Sequence, residues 1–361
     1  MGKYSDIVWD GKTLTVPEGL GKPGPHQLLG SNLDNLVELS GRACYDSLGV
    51  EKSRGSEDYH KHIIEVNHGS VQEHASITVK IIKSDWYEAS VLEYLESVIN
   101  HPGVYVDMTN LTLTANLRAI REWDNFSNGG GPWYGAALKN AAKTVAPLVM
   151  QDYEPIAIGW KAELVEPETV NSVWLSYYIH NVSRGLTHEL VRHKYQTAIS
   201  QRSTRYVDES GTDWSLHPLF YKYYNDSKQW DEWGNSKLAM AEHIEKDSKK
   251  AYDYYVDKLQ SYLIEAGVDK FTARKQARGA ARGLLGNALT TELIFSASLA
   301  QWIRMLKQRA TQHADAEIRL LFNEIYLDLK DRYPSQFIGC SVTDCPDGIG
   351  FELVWPKGGA V

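Results

Sequence analysis

A chain of 361 residues with 43% hydrophobic and 23% charged content can bury a sizeable core in one large domain or two ordinary ones, which excludes a disordered chain. Its formal charge of −8 excludes a global attraction for nucleic acid or an anionic membrane, so any anion site is local. Three cysteines (Cys44, Cys340, Cys345), an opening MGKYSDIVWDGK without a secretory pattern, and the lack of any apolar run long enough to span a bilayer together predict a soluble, cytoplasmic protein without disulfides.

In chain order, Ser31 is placed to cap a helix whose apolar residues Leu33, Leu36, Val37 and Leu39 carry it to about Ala43. A polar loop follows over 47–56. The β-branched run SITVKII over 76–82 predicts a strand, entered from the polar turn HGSVQEH at 68–74. Residues 85–100 read as a helix. NGGGPWYG at 128–135 reads as a linker, because three glycines and a proline disfavour both helix and strand interiors. Alternation over 173–179 predicts a second strand. From 181 to 194, Val182, Leu186 and Leu190 recur every four positions, with Arg184, His188 and Arg192 on another face, which predicts a helix with a core side and an Arg/His stripe. Long helices are expected over 236–266 and 299–331, the second with an apolar stripe of Ile318, Leu321, Phe322, Ile325 and Leu329. One faint internal echo stands out: NLRAIREW at 116–123 resembles SLAQWIRML at 298–306.

The densest chemistry lies in RHKYQTAISQRSTRY, residues 192–206, which packs four arginines or lysines, a histidine and the hydroxyls of Thr197, Ser200, Ser203 and Thr204 beside Tyr206. Guanidinium forks and hydroxyls in that density suit phosphate and carbonyl oxygens. The plainer reading is a solvated basic helix end, against which the acidic background and the uneven residue types count. The spacing of His68 and His74 is not that of a zinc-binding HExxH helix, so no metal site is expected. No GxGxxG follows a strand, which argues against a Rossmann fold.

These residues resemble the signature of flavin-dependent thymidylate synthases, RHRxxSxxxxSxR followed by Tyr, matched here by Arg192, His193, Lys194, Thr197, Ser203, Arg205 and Tyr206. Lys194 stands in place of the third-position arginine, Thr197 in place of serine, and one extra residue lies between Thr197 and Ser203. Upstream, His68, Ser70 and Glu73 match the family's H-x-[ST]-x-x-E-H segment. Downstream, Arg282 and Arg309 resemble its two later substrate arginines. Ser298 and Ala300 occupy the places of a family asparagine and arginine, and Asn116 and Arg118 of the NLRA echo are expected to replace them.

The resemblance implies an α+β fold, a mixed or antiparallel sheet packed with long helices, as a single domain over 1–361. Its family-like core would be 30–82, 172–210 and 275–337, and its inserted region about 85–170. It implies methylation of dUMP to dTMP, with methylenetetrahydrofolate as carbon donor, reduced FAD as hydride donor and NADPH as reductant. By this resemblance Arg205, Arg309 and Ser203 are the catalytic residues. Glu189, Arg192, Ser203, Thr204, Arg205, Arg282 and Arg309 bind dUMP. His68, Ser70, Glu73, Arg192, His193, Lys194, Ser298 and Arg304 hold FAD or folate. A homotetramer with shared active sites is implied, with no membrane or nucleic-acid partner. Another flavin- or folate-dependent pyrimidine-modifying enzyme, or a single-stranded nucleic-acid-binding protein using the Arg/His stripe with tryptophans and tyrosines, are the alternatives.

Overall fold

The computed structural model describes residues 33–47, 55–83, 88–101, 103–123, 132–156, 160–215, 217–220, 222 and 234–356. The expected cap Ser31, most of the 47–56 loop and the three consecutive glycines at 129–131 lie outside them. The first core forms where α1 (Leu33–Cys44) and α2 (Ser56–Glu65) turn their apolar faces onto a sheet. A 3-10 turn (Gly69–His74) leads into β1 (Ser76–Lys83), whose alternating Ile77, Val79 and Ile81 are buried. The chain continues through α3 (Glu88–Val98), β2 (Val104–Asp107), β3 (Thr112–Asn116), α4 (Leu117–Arg121), α5 (Pro132–Val145) and β4 (Trp160–Leu164). The four strands form an antiparallel sheet of order β2-β3-β1-β4, so residues 85–170 supply three strands that pair with β1 or with one another.

The second core is built on β5 (Trp174–Ser183), α6 (Arg184–Leu190), β6 (Thr197–Gln201), β7 (Thr290–Ser298), α9 (Leu299–Arg309) and α10 (Ala316–Arg332), while the helical pair α7 (Gly234–Glu265) and α8 (Lys270–Ala281), between β6 and β7 in the chain, contributes no residue to it. Its three strands are antiparallel in the order β5-β7-β6, and a hairpin of β8 (Ser341–Asp344) and β9 (Phe351–Val354) closes the chain. The architecture is α+β, as expected.

Three element boundaries differ from the sequence expectation, each for a local reason. The 181–194 helix is shorter, because β5 runs on past a bulge to pair Val182 with Thr291 and Ser183 with Thr290, and the Ser183 hydroxyl then caps α6 by accepting from Leu186 N. The four-residue spacing still buries Leu186 and Leu190. The 299–331 helix is two helices: Ala310 leaves helical geometry and its carbonyl accepts from Leu353 N in β9, and Asp315 caps α10. All five residues of the expected apolar stripe are buried. The 128–135 linker gives way to helix at Pro132, whose missing N–H is harmless in a first turn.

His74 joins the two parts. Its ring is fully buried, with Nδ1 2.7 Å from Ser296 Oγ in β7 and Nε2 2.9 Å from Ser200 Oγ in β6, while Trp174 Nε1 donates to its carbonyl. Burial pushes this imidazole down to about 3. His180 is down at about 4, also by burial, and so is His193, where the Arg309 charge adds to burial. These rings are neutral in the folded chain at pH values where the unfolded imidazole takes up a proton. Stability is therefore fully present above about pH 6.5 and is lost as the pH falls toward 4 and then 3. His74 alone contributes on the order of a few kcal/mol to this slope. Glu292 and Glu317, held up by burial, oppose it in part. The thermal midpoint is expected to fall between pH 6.5 and 4, and a His74→Gln chain to show a shallower dependence in the same calorimetric series.

Candidate functional site

The motif-bearing segment is divided by β6. Residues 191–196 form the turn entering the strand, residues 202–206 the turn leaving it, and at about 3.3 Å per residue the strand holds those ends roughly 15 Å apart.

Before β6, α6 and α9 bring three of the expected site residues together. Arg309, in the last turn of α9, donates from Nη1 to Glu189 Oε2 at 2.6 Å and from Nε to His193 Nε2 at 3.0 Å. An imidazole nitrogen that accepts from a guanidinium carries no proton, so His193 is neutral with its hydrogen on Nδ1. This agrees with its pKa near 4. Glu189 and His193 thus aim a guanidinium that remains partly solvent-accessible. Arg192 and Lys194 are exposed beside this set, without an ion-pair partner among the described residues.

After β6, the turn carrying Ser203, Thr204, Arg205 and Tyr206 is fixed from several sides. Ser203 N donates to Cys44 O at the end of α1. The wholly buried Glu209 carboxylate holds Arg202 at 2.9 Å and Thr212 at 2.8 Å, and lies 3.9 Å from Arg184. One face of α8 covers the turn: Lys275 sits 4.8 Å over the Tyr206 ring, Arg278 donates to Tyr206 O and Asp208, and Gly279 lies against Arg205. Arg282 follows one turn on, near enough to Arg184 for their charges to repel. Tyr45 packs edge-on at 4.9 Å against Tyr206 and at 6.3 Å against His68, so His68 joins this end. Burial holds its imidazole below the ordinary value. Arg205 is exposed and has no carboxylate partner among the described residues. Thr204 is buried.

A cleft of about 730 Å³ opens at the other end of β6. Its walls are Asn116, Arg118 and Glu122 from α4 and its two caps, Glu73 and Ser76, residues 99–101 and 103–105, and Trp174 with residues 194–197. Arg118 donates to Glu73 at 2.5 Å and to Glu122 at 3.0 Å while 40% of its side chain stays exposed. Lys194 and Arg118 balance Glu73 and Glu122, so the cleft combines aromatic walls with donors and acceptors of both charges.

Two expected residues fall elsewhere. Ser298 is fully buried, capping α9 and donating to Gln196 Oε1 at 2.7 Å, and Arg304 lies 5.3 Å over the ring of Tyr195. Ser70 is half-buried in the 3-10 turn. Sequence reading missed Tyr45, Lys275 and Arg278, for which only the tertiary fold gives a signal. It also missed Glu209, whose spacing from Arg202 was readable but not decisive. The thiols are free, and burial raises all three pKa values, so none is an activated nucleophile. Among the described residues no cluster of His, Cys, Asp or Glu is suited to a metal ion, and no helix is long and apolar enough to cross a membrane.

Residues 167–335 match the family described as thymidylate synthase complementing protein. The chain is similar to the flavin-dependent thymidylate synthase of Mycobacteroides abscessus, 32% identical over 173 residues, or 48% of this chain and 64% of the relative. It is 33% identical to that of Mycobacterium tuberculosis over 177 residues, again 48% of this chain and 64% of the relative. A Clostridium tetani relative of the same description is 28% identical over 229 residues, covering 58% of this chain and 87% of the relative. The chain thus spans slightly under two thirds of the mycobacterial proteins it matches.

Proposed function

We propose that the chain is a flavin-dependent thymidylate synthase, a reading supported by the family match over residues 167–335 and by the similar relatives, and that it methylates dUMP to dTMP, with methylenetetrahydrofolate as carbon donor, reduced FAD as hydride donor and NADPH as reductant. The observation that carries this reading is the meeting of Arg309, Glu189 and His193. These residues lie up to 120 positions apart and were each assigned to nucleotide or cofactor from sequence, yet they form one hydrogen-bonded set.

Arg309 is the polarising group. Its guanidinium, aimed by Glu189 and by a histidine that cannot compete for charge, stabilises negative charge on a uracil carbonyl and so makes C5 nucleophilic. Ser203, Arg205 and Arg282 supply hydroxyl and cationic donors suited to the nucleotide phosphate. With every thiol pKa raised, this chemistry proceeds without a cysteine nucleophile.

The residues present fit a flavin. The cleft at Arg118 and Lys194 has the volume of an ordinary cofactor site. Its aromatic walls suit a planar ring system, the Asn116 and Gln196 amides its polar edge, and the two cations its phosphates. Bound there, reduced FAD would supply the hydride, while the protein orients it and excludes water. Because β6 stands between this cleft and the turn bearing Ser203 and Arg205, the two ends meet most directly across a contact between copies of the chain. This supports a homo-oligomer with shared nucleotide sites, such as the expected homotetramer.

The test is release of tritium from C5 of labelled dUMP in the presence of methylenetetrahydrofolate, FAD and NADPH. Release coupled to dTMP formation is expected. Release with a different product would favour another pyrimidine modification, and none under any of these conditions would overturn the reading.

A further inference from the structure

The sheet orders β2-β3-β1 and β6-β7-β5 are one order written twice, with each strand in the same chain position within its half. The match extends to single residues. Ser76 pairs with Asn116 as Trp174 pairs with Ser298, and Val104 pairs with Ala115 as Thr197 pairs with Ala297. Asn116 N donates to Gly103 O at 3.0 Å, and Ser298 N to Gln196 O at 3.3 Å. Leu117 N donates to Ala75 O at 2.9 Å, and Leu299 N to Val173 O at 2.8 Å. Gly103 and Gln196 both have positive φ, 78° and 48°. Asn116 and Ser298 each end a central strand and cap the next helix with a side-chain oxygen. At the matched positions Leu117 and Leu299 are alike, within the echo read from the sequence, and so are Ala115 and Ala297 just before it. Antiparallel three-stranded sheets are common, but this coincidence of caps, register and positive-φ residues is not a property of sheets in general.

The correspondence shows what each half lacks. Arg192, His193 and Lys194 of the second half correspond to Ile99, Asn100 and His101 of the first, so the cationic set survives only in the second. Asn116 and Arg118 of the first correspond to Ser298 and Ala300, so the amide and guanidinium survive only in the first. Of the retained parts, Asn116, Arg118 and Lys194 meet in the cleft, which matched residues from both halves also line: Ser76 with Trp174, Gly103 with Gln196, Val104 with Thr197.

We propose that the chain is an internal duplication whose two halves have divided one ligand site between them, so that the cleft for a phosphate-bearing planar cofactor is completed within a single chain. The identity of the ligand rests on the proposed function, whereas the duplication rests on the backbone alone. Arg118 is the positioning contribution of the first half and Lys194 the phosphate-facing contribution of the second. Both are exposed enough that replacing them leaves folding intact, which the melting temperature checks.

The experiment titrates FAD by fluorescence quenching into the full chain, into Arg118→Gln and Lys194→Gln, and into differently tagged chains of the two variants co-expressed and purified through both tags. Each variant is expected to bind FAD about tenfold or more weakly, and the mixed assembly to stay as weak as its parents, since every site within a chain carries one defect. A wild-type chain that binds FAD as a monomer supports the inference equally. Recovery of wild-type affinity in about half of the sites of a mixed dimer, or somewhat more than about a quarter of those of a mixed tetramer, as a site shared between chains requires, overturns it and leaves the proposed function standing. Unchanged binding by Arg118→Gln also overturns it alone. A wild-type chain that binds no FAD overturns both.

Discussion

Replacing Arg309 by alanine is expected to lower dTMP formation by about 10²–10³-fold, the usual cost of removing one preorganised donor aimed at developing negative charge. The fold should survive, because the guanidinium is partly exposed and its ion pair with Glu189 contributes on the order of 1 kcal/mol or less. The loss should fall on kcat more than on KM for dUMP, since the charge being stabilised develops during reaction. Arg309→Lys keeps the charge but cannot donate to Glu189 and His193 as a planar fork, so an intermediate rate is expected. Removing the arginine also removes part of what depresses His193, so the imidazole should titrate at a higher pH in Arg309→Ala, as ring-proton resonances would report. Steady-state kinetics showing a wild-type kcat for Arg309→Ala would mean that carbonyl polarisation lies elsewhere.

Glu209→Ala is expected to give the largest loss of stability, about 3–5 kcal/mol in urea unfolding. The carboxylate is wholly buried, and removing it leaves the Arg202 and Arg184 guanidiniums facing each other without their shared counter-charge. Glu209→Gln restores one acceptor oxygen but not the charge, and its amide N–H2 would face guanidinium donors, so its partial rescue should be small. The same change loosens the turn that carries Ser203 and Arg205, and in protein that still folds the KM for dUMP should rise. A midpoint shift equivalent to less than about 1 kcal/mol would show that the two guanidiniums are satisfied without it.

The site was legible in sequence wherever chemistry is concentrated in one segment or repeated at a matched spacing. Residues 192–206 announce themselves by residue type, and Glu189 and Arg309 follow from their places in the pattern; the fold then places them 2.6 Å apart. The echo between 116–123 and 298–306 was visible as a sequence likeness, but its meaning required the strand register. Strands β2, β3, β4 and β6 escaped because four or five residues carry too little alternation to separate from noise. The break after Arg309 could have been read from Asp315, a good cap residue two positions before Glu317, but the apolar stripe continued across it. His74 illustrates the opposite limit. Its sequence position marks a polar turn, yet the ring is a buried tie between β6 and β7, and no local pattern distinguishes such a histidine from a ligand.

The central claim is flavin-dependent thymidylate synthesis, and the absorption spectrum of the purified chain tests it most directly. Under anaerobic conditions, bound oxidised flavin should bleach on addition of NADPH and recover its colour when dUMP and methylenetetrahydrofolate are added together, with dTMP formed in step. A chain that binds no flavin when supplied with FAD, or whose reduced flavin is not reoxidised by the two substrates, would contradict the account.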